Sequence, residues 1–367
     1  MAPEMNNINE ITSHFRTEGS VVSCSPIGSG HINESWLITT EPVTACDYVL
    51  QRMNHHVFKD IPGLMNNILI VTRHIETKIR SGDPATEGLS ALQLIPTLTN
   101  EYFHKDNGGN FWRMYNFLPG TKSYDIVENK SKAYEGGKAF GNFQYLTADI
   151  AVESLTETIP AFHDINKRLQ TFRNIVKDNP VNKVKEVLQE INFVEQRAEE
   201  MKTILKLGAA GKIPLRITHN DTKFNNILFD GNEKAICIVD LDTVMPGYVL
   251  YDFGDAIRTG ASRAEEDEKD LSKVTIDPGL FEAYTRGYLS IASRFLNETE
   301  KKHLAFSAKF MTYLIGLRFL TDHIDGDHYF RIHFENHNLQ RAKAQFRLLE
   351  SMEGSFEKMK EIVDKCG

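Results

Sequence analysis

The chain has 367 residues, which is long enough for two lobes that each bury an apolar core. Hydrophobic residues make up 41% of it and charged residues 25%, as in an ordinary soluble globular protein. The formal charge of -8 argues against a nucleic-acid groove as the main function, because phosphate backbones bind basic surfaces.

The N-terminus lacks the basic and apolar stretches of a signal peptide, and no apolar run is long enough to cross a bilayer. The four cysteines are scattered without a C-x-x-C pair, which suits a reducing compartment. We therefore expect a cytoplasmic protein with no membrane partner and no nucleic-acid partner. The sequence leaves open whether it is a monomer or a homodimer.

The first 118 residues are rich in predicted strands, with one amphipathic helix over residues 63–80. A Pro-Gly pair at residues 119–120 closes this region, and the composition then becomes helical. We expect a hinge between two lobes at this point. The predicted strands cover residues 21–27, 35–39, 47–52, 89–96 and 110–118.

A glycine-containing turn, Gly28-Ser29-Gly30, joins the first two predicted strands. Such a turn lets the backbone approach a ligand, and its N–H groups can cradle a phosphate. An ordinary hairpin uses the same glycines, so the turn alone decides nothing. His31 at its tip is either a ligand-facing side chain or a solvated loop histidine.

Beyond residue 129 the predicted elements are mostly helices, and a charge run over residues 262–275 predicts an exposed loop. His163 and Asp164 either line a binding site or belong to a helix start that Asp164 caps. The predicted helices cover residues 130–145, 158–172, 181–207, 278–295 and 299–323, with a helical tail over 338–360.

A polar loop between short predicted strands carries the clearest functional pattern. Strands over residues 216–218, 226–230 and 235–239 bring four polar side chains together. They are His219, Asp221, Asn226 and Asp240, spaced as H-x-D-x-x-x-x-N followed by an aspartate after an apolar strand. The simpler interpretation is a polar loop with an Asp-capped turn.

This set of residues suits phosphoryl transfer. The reaction needs a carboxylate to accept the proton of the attacking hydroxyl, a role that fits Asp221. It also needs oxygen ligands for Mg²⁺, a role that fits Asn226 and Asp240. Asp242 is a rival ligand, but Asp240 directly follows the apolar strand.

Two polar residues stand out near the C-terminal end. Arg318 lies in a very apolar predicted helix, and Tyr329 follows eleven residues later. A buried guanidinium needs acceptors, so Arg318 either pairs with a residue such as Asp322 at i+4 or faces a ligand. Asp252 and Asp255 are expected to cap a helix or brace the polar loop.

The runs THNDTKFNNILFD and VDLDTVMPGYVLYDFGDAIRTGA resemble the aminoglycoside-phosphotransferase and choline-kinase superfamily. Within it they look like the N-acetylhexosamine 1-kinases, which phosphorylate the anomeric hydroxyl of GalNAc or GlcNAc. The resemblance extends over most of the chain. It implies an α/β (α+β) bilobal, protein-kinase-like fold, with a nucleotide-binding lobe over residues 1–118 and a C-terminal lobe over residues 119–367.

The resemblance also implies ATP and Mg²⁺ as cofactors and a role for each matching residue. Asp221 is the implied catalytic base and contacts the acceptor, and Asn226 and Asp240 hold the metal. Three groups of residues complete the site: Gly28, Ser29 and Gly30 for the phosphates; Asn116, Phe117 and Leu118 for the adenine edge; His31, Arg318 and Tyr329 for the sugar.

The sequence departs from the kinase pattern on the third strand, where a lysine normally holds the α- and β-phosphates. Gln51 stands at that position, and Arg52 points the other way in a regular strand. Either Gln51 forms a neutral substitute or Arg52 takes the phosphate role, and both stay candidates.

Two rival functions stay open at this stage. A kinase of the same fold could act on choline, an aminoglycoside or homoserine, and the acids Asp322, Asp325 and Asp327 would suit a cationic acceptor. The missing lysine would suit a non-catalytic nucleotide-binding protein, although the set of Asp221, Asn226 and Asp240 argues against it.

Overall fold

The computed structural model describes residues 5–28 and 32–367, with side chains from Ile8 onward. Within these ranges no helix is both long and apolar enough to span a membrane. Five antiparallel strands form an N-terminal sheet in the order β1-β2-β3-β5-β4. They are β1 (Ser20–Pro26), β2 (Glu34–Glu41), β3 (Tyr48–Met53), β4 (His104–Lys105) and β5 (Phe111–Asn116).

The two faces of this sheet pack against different partners because side chains alternate along each strand. One face buries Leu50 and Trp112 against helix α1 (Met5–Thr12), in a cluster with Ile8. The other face packs on helix α2 (Ile61–Arg80), which Asp60 caps by accepting a hydrogen bond from Gly63 N–H (3.0 Å).

The predicted strand over residues 89–96 is not a strand in the structure. The segment lies beside β5 and forms one isolated β-bridge with it, between Leu94 and Tyr115. The Asn116 side chain takes the place of part of the backbone pairing between this segment and β5. It accepts a hydrogen bond from Gln93 N–H (2.7 Å) and donates one to the Ala91 carbonyl (3.2 Å). Side-chain bonds of this kind compete with regular pairing.

The C-terminal part is mostly helical, as predicted. Helix α3 (Lys130–Thr147) lies against helix α8 (Pro278–Ala292), and small residues allow this contact: a Cβ at Gly137 would collide with the Tyr284 carbonyl. Most of the remaining helices contact one long helix, α10 (Leu304–Asp325). The helices are α3 (Lys130–Thr147), α4 (Ile165–Asp178), α5 (Leu188–Arg197), α6 (Thr203–Ala209), α7 (Val249–Gly260), α8 (Pro278–Ala292), α9 (Glu298–Lys302), α10 (Leu304–Asp325), α11 (His337–Gly354) and α12 (Phe356–Cys366).

The single helix predicted over residues 181–207 is wrong: the structure breaks it between α5 and α6. The Val194 carbonyl, which would continue the helix, instead accepts a hydrogen bond from the buried Tyr313 hydroxyl (2.9 Å). The Ala198 N–H bonds to Glu195 instead, three residues back. A tertiary contact therefore overrides the local helix pattern.

Four short strands of the C-terminal part hold the polar loop. Strand β6 (Arg216–Thr218) pairs with β9 (Met245–Gly247), and β7 (Ile227–Phe229) pairs with β8 (Ala235–Ile238). Residues of both parts of the chain share one apolar cluster, which includes Leu64 of α2 and Leu241. The short strands therefore sit directly below the N-terminal sheet.

Candidate active site

The polar loop that follows β6 is braced by two buried carboxylates of α7. Asp252 accepts hydrogen bonds from His219 N–H (2.9 Å) and Asn220 N–H (2.8 Å). Asp255 accepts from Thr222 N–H (3.0 Å). The two aspartates therefore hold the loop backbone, which is one of the two roles that the sequence predicts for them.

His219 anchors this loop. Its Nδ1 accepts from Asp221 N–H (3.3 Å), so Nε2 carries the proton and donates to the Val239 carbonyl (3.0 Å). The side chain is fully buried between the rings of Phe140 and Phe143. His219 thus ties the Asp221 backbone to the end of β8.

Asp221 and Asn226 meet at the end of the loop. Asn226 Nδ2 donates to the Asp221 carbonyl (2.8 Å) and lies 3.3 Å from its carboxylate Oδ2. Within the described residues no donor reaches Asn226 Oδ1, so this oxygen is free to face a ligand. Desolvation raises the pKa of Asp221, but Lys223, whose ammonium lies 3.3 Å away, together with His219 and Arg258 holds that pKa below its usual range.

The β7–β8 hairpin places Asp240 beside Asn226. Val239 N–H donates to the Asn226 carbonyl (3.0 Å), and Asp240 follows in a left-handed conformation with φ of 60°. Its carboxylate has no hydrogen-bond or ion-pair partner in the described part of the chain. Desolvation, followed by repulsion from Asp242 and Asp221, raises the pKa of Asp240 to about 6.

Asp242, the rival metal ligand, is fully engaged. Its carboxylate pairs with Arg113 of β5 and accepts from Asn33 Nδ2, so it links the N-terminal sheet to the C-terminal part. Arg113 is completely buried, and desolvation lowers its pKa, but the charge and hydrogen bond of Asp242 together with Tyr115 and Asp240 raise that pKa above its usual value. Among the described residues, Asp242 is paired and Asp240 offers oxygens without a partner.

The third strand places Gln51 and Arg52 on opposite faces. Gln51 lies opposite Arg113 and accepts from its Nε (2.9 Å), on the face toward Asp242. Arg52 pairs with Glu34 and lies over the Trp112 ring on the other face. Gln51 therefore belongs to the network next to Asp240, and Arg52 does not.

The hinge candidates follow β5. The Asn116 side chain is used within the fold, and Phe117 N–H donates to the Asp47 carbonyl (2.8 Å). Leu118 N–H finds no acceptor among the residues the structure describes, so it is the backbone donor left for a ligand. Gly28 has a left-handed φ of 75° at the start of the glycine turn, whereas Ser29, Gly30 and His31 lie outside the described residues.

Arg318 and Tyr329 come together near His163, which lies against the backbone of the same loop at Asn220. Arg318 Nη2 donates to the Tyr329 hydroxyl (3.3 Å), and its guanidinium lies over the rings of Phe162, Tyr329 and Phe330 at 5.0 to 5.5 Å. Arg318 is 8% exposed and forms no ion pair within the described ranges. Of the two alternatives that the sequence leaves open, the pair with Asp322 does not form in the described structure.

His163 connects this aromatic cluster to the polar loop. It is 4% exposed, and Nε2 lies 3.3 Å from the Asn220 carbonyl, while Nδ1 has no partner in the described structure. Desolvation and the Arg318 charge lower the pKa of His163 to about 3, so the ring is neutral. Asp164 caps α4 by accepting from Asn166 N–H (2.9 Å).

The acids that could attract a cationic acceptor are largely committed to the fold. Asp322 accepts hydrogen bonds from Tyr329 N–H, Phe330 N–H and Asn338 Nδ2. Asp327 pairs with Lys183 (3.1 Å). A second positive charge lies at the aromatic cluster: Arg168 donates twice to the Phe162 carbonyl, and desolvation together with Arg318 lowers its pKa to about 10.

The strand-rich lobe lies above a helical lobe, and an acid, an amide and a second acid converge below the sheet. This arrangement defines the bilobal kinase-like fold of phosphotransferases. The chain belongs to the phosphotransferase enzyme family, whose sequence pattern it matches over residues 23–296. The predicted fold and superfamily are thereby confirmed.

Solved structures share this fold over nearly the whole chain. An aminoglycoside phosphotransferase from Alicyclobacillus acidocaldarius has a TM-score of 0.67 at 11% identity, covering 100% of this chain and 98% of that one. Spectinomycin phosphotransferase, solved with ADP and spectinomycin, has a TM-score of 0.60 at 11% identity, covering 98% and 100%. A choline kinase from Cryptosporidium parvum has a TM-score of 0.60 at 14% identity, covering 99% of each chain.

Several residues of the site were not predicted. Lys223 stands two residues after Asp221, a spacing that could have indicated a charge partner. Arg113 lies between Trp112 and Met114 in an apolar strand, where a charged residue signals a buried partner. Arg168 carries no such signal, because one arginine on an amphipathic helix is ordinary.

Proposed function

We propose that this protein is an ATP- and Mg²⁺-dependent kinase that phosphorylates the anomeric (C1) hydroxyl of an N-acetylhexosamine. The observation that carries the kinase part is the convergence of the Asp221 carboxylate, the free Asn226 carbonyl oxygen and the unpaired Asp240 carboxylate. The acceptor part is supported by the aromatic, positively charged surroundings of Arg318.

The metal role fits Asn226 and Asp240. Both offer oxygen atoms that no donor of the described residues reaches. The pKa of Asp240 is raised first by burial and then by the negative charges of Asp242 and Asp221, which a cation would neutralise. No group of three His, Cys, Asp or Glu side chains with metal-site geometry exists in the described residues, which suits an ion that completes its shell with phosphate and water. When bound, Mg²⁺ would neutralise charge on the transferring phosphoryl group.

Asp221 is the proposed catalytic residue. Its lowered pKa keeps the carboxylate ionised at neutral pH, ready to orient the acceptor hydroxyl and take its proton. Asn226 holds the carboxylate from one side, and Lys223 lies 3.3 Å from its Oδ1. Because Lys223 is 41% exposed, its ammonium can also reach the transferring phosphoryl group.

The nucleotide is proposed to lie between the glycine turn and the hinge. Gly28, Ser29 and Gly30 would cover the phosphates, and the backbone at Asn116, Phe117 and Leu118 would meet the adenine edge. Gln51 and Arg52 both stay candidates for the strand position. Arg113 supports Gln51, since it supplies a cation beside it.

The acceptor is proposed to bind between Asp221 and the aromatic cluster. Arg318, Tyr329 and His31 would position the sugar through directional donors and an aromatic surface. A buried guanidinium without a carboxylate partner attracts a carbonyl oxygen and repels an ammonium group. An N-acetyl group supplies that carbonyl, whereas choline and aminoglycosides bring positive charge.

The division of labour between lobes is part of the same proposal: residues 1–118 bind the nucleotide, and residues 119–367 carry the catalytic loop and the acceptor site. The reaction has small-molecule partners only, ATP and an amino sugar. Its proposed place is the cytoplasm, with the protein as monomer or homodimer.

A panel of acceptors with ATP consumption as the readout tests this function. We expect turnover with GalNAc or GlcNAc, and none with choline, ethanolamine or kanamycin. The Asp221→Asn variant serves as the control for contaminating ATPase activity. Turnover with a cationic acceptor and not with either hexosamine would remove the acceptor assignment and leave the kinase assignment intact.

A further inference from the structure

A cavity separate from the candidate active site lies beside the β7–β8 hairpin, between α3, the segment over residues 84–89 and the end of α8. Its outer part has a volume of about 500 Å³. An inner chamber adjoins it, because four residues line both: Leu89, Ala139, Asn142 and Ala235. None of the residues proposed for the active site lines either part.

The inner chamber is walled by apolar side chains from both parts of the chain. Helix α2 contributes Ile75, helix α3 contributes Phe143 and Leu146, and strand β8 contributes Ile236 and Ile238. A wall of this kind binds the hydrocarbon part of a ligand, and the outer volume lies in the range of small-molecule sites. The cavity therefore has room for a compact apolar group behind a wider mouth.

One buried polar atom in this wall lacks a partner. Asn142 is 6% exposed, and its Nδ2 donates to the Ala85 carbonyl (2.7 Å), which fixes the orientation of the amide. Its Oδ1 is buried with no donor among the described residues. A buried acceptor is normally satisfied, so a ligand with an N–H or O–H group would complete it.

The mouth of the cavity carries excess positive charge. Lys138 and Arg294 have no acidic partner in the described structure, whereas Lys234 pairs with Glu135 (2.6 Å). Glu87 is the remaining carboxylate of the wall outside an ion pair. Two cations against one acid favour an anionic group at the mouth.

We propose that this cavity is a binding site, separate from the active site, for a small carboxylate with a compact apolar body and an N–H or O–H donor. The donor meets Asn142, the apolar body fills the chamber against β8, and the carboxylate lies near Arg294 and Lys138. The site rests on none of the residues assigned to phosphoryl transfer.

Titration calorimetry of the full-length protein with indole-3-acetate tests this site, since the probe combines a ring, an N–H and a carboxylate. We expect saturable binding of one molecule per chain that saturating ATP does not displace. Arg294→Ala should weaken binding about tenfold through loss of a charge-assisted contact. Ala139→Leu should abolish binding by filling the space where the two parts of the cavity meet.

Arg286→Ala is the matched control, because Arg286 lies on α8 outside the cavity and pairs with Glu282. It should bind the probe as the wild type does, and all three variants should keep full kinase activity. No saturable binding by the wild type would overturn the proposal. So would displacement of the probe by ATP, or an Arg294→Ala affinity equal to that of Arg286→Ala.

Discussion

The polar loop around Asp221 has neighbours of opposite charge, with Asp240 on its acidic side and Arg318 on its basic side. Asp240 is a carboxylate without an ion-pair partner in the described residues; burial, followed by the charges of Asp242 and Asp221, raises its pKa. Arg318 is a buried guanidinium with no carboxylate partner among the residues that the structure describes, and its charge adds to the desolvation that lowers the pKa of Arg168. Charge that the fold leaves unpaired is costly, which points to a ligand on each side.

The contrast with neighbouring residues sharpens this point. Asp242 lies two residues after Asp240 and is paired with Arg113. Asp322 lies four residues after Arg318 and accepts three hydrogen bonds. Asp240 and Asp242 are the same residue type, yet within the described residues Asp242 is paired and Asp240 is not. Partner geometry, rather than residue type, therefore separates structural charges from charges available for binding.

The largest expected effect lies at the point where both sides meet. Asp221→Asn keeps the shape of the side chain and removes the base, so kcat should fall by about 100-fold to 10,000-fold. Nucleotide affinity, measured by calorimetry, should stay within a few-fold of the wild type. A variant with near-normal kcat would show that Asp221 is not the base.

On the acidic side, Asp240→Asn and Asp242→Ala should separate metal binding from folding. We expect Asp240→Asn to lower kcat/KM about 100-fold and raise the Mg²⁺ requirement, with little change in the free energy of unfolding. Asp242→Ala should lower that free energy by about 3–5 kcal/mol, because it leaves Arg113 buried without a counter-charge. Denaturant melts and Mg²⁺ titrations of the two variants check these effects. If Asp242→Ala raised the Mg²⁺ requirement and Asp240→Asn lowered the stability instead, Asp242 would be the metal ligand.

On the basic side, Arg318→Met should keep the apolar packing of the arginine stem and remove its charge. We expect kcat/KM for the sugar to fall by about 10-fold to 100-fold, with the KM for ATP unchanged. The exposed Arg331→Met is the control. Equal kinetics for both variants would count against a sugar contact by Arg318.

The buried His163 should make stability depend on pH. Its folded pKa of about 3 lies below the ordinary value of 6.5, so between these values the unfolded chain binds more protons. Stability is therefore lost as the pH falls below about 6.5, by at most about 1.4 kcal/mol per pH unit. Denaturant melts at several pH values should show that His163→Phe loses this part of the pH dependence of the free energy of unfolding. The variant of the exposed His56, His56→Gln, should retain it.

The smallest expected effect distinguishes Gln51 from Arg52. Gln51→Ala should raise the KM for ATP a few-fold, because it loosens Arg113 beside the nucleotide cleft. Arg52→Ala should change that KM less, since its guanidinium pairs with Glu34 on the opposite face. A larger effect from Arg52→Ala would assign the phosphate role to Arg52.

The part of the candidate site that the sequence predicts and the structure brings together is local in the chain. Asp221, Asn226 and Asp240 lie within twenty residues, and the hairpin between them follows from alternation and a turn at Asp230. The bracing role of Asp252 and Asp255 was also among the predictions, because they lie just beyond the loop. Short-range geometry constrains such residues strongly.

Pairs of residues that lie far apart in the chain could not be predicted from the sequence. Arg113 and Asp242 lie 129 positions apart, and nothing in either local pattern indicates the other. The same holds for Tyr313, whose hydroxyl ends α5 from 119 positions away, and for Asn116, whose side chain replaces a predicted strand. Periodicity reports which face is buried, but it does not report which partner covers that face.

The most direct test of the charge contrast compares two sugars that differ at one group. Kinetics with ATP and either N-acetylgalactosamine or galactosamine isolate the effect of replacing an acetamido carbonyl with an ammonium group near Arg318. We predict that kcat/KM for the acetylated sugar exceeds that for the amine by at least about tenfold, with the phosphate on C1. An equal or higher kcat/KM for galactosamine would contradict an acceptor site built around an unpaired guanidinium.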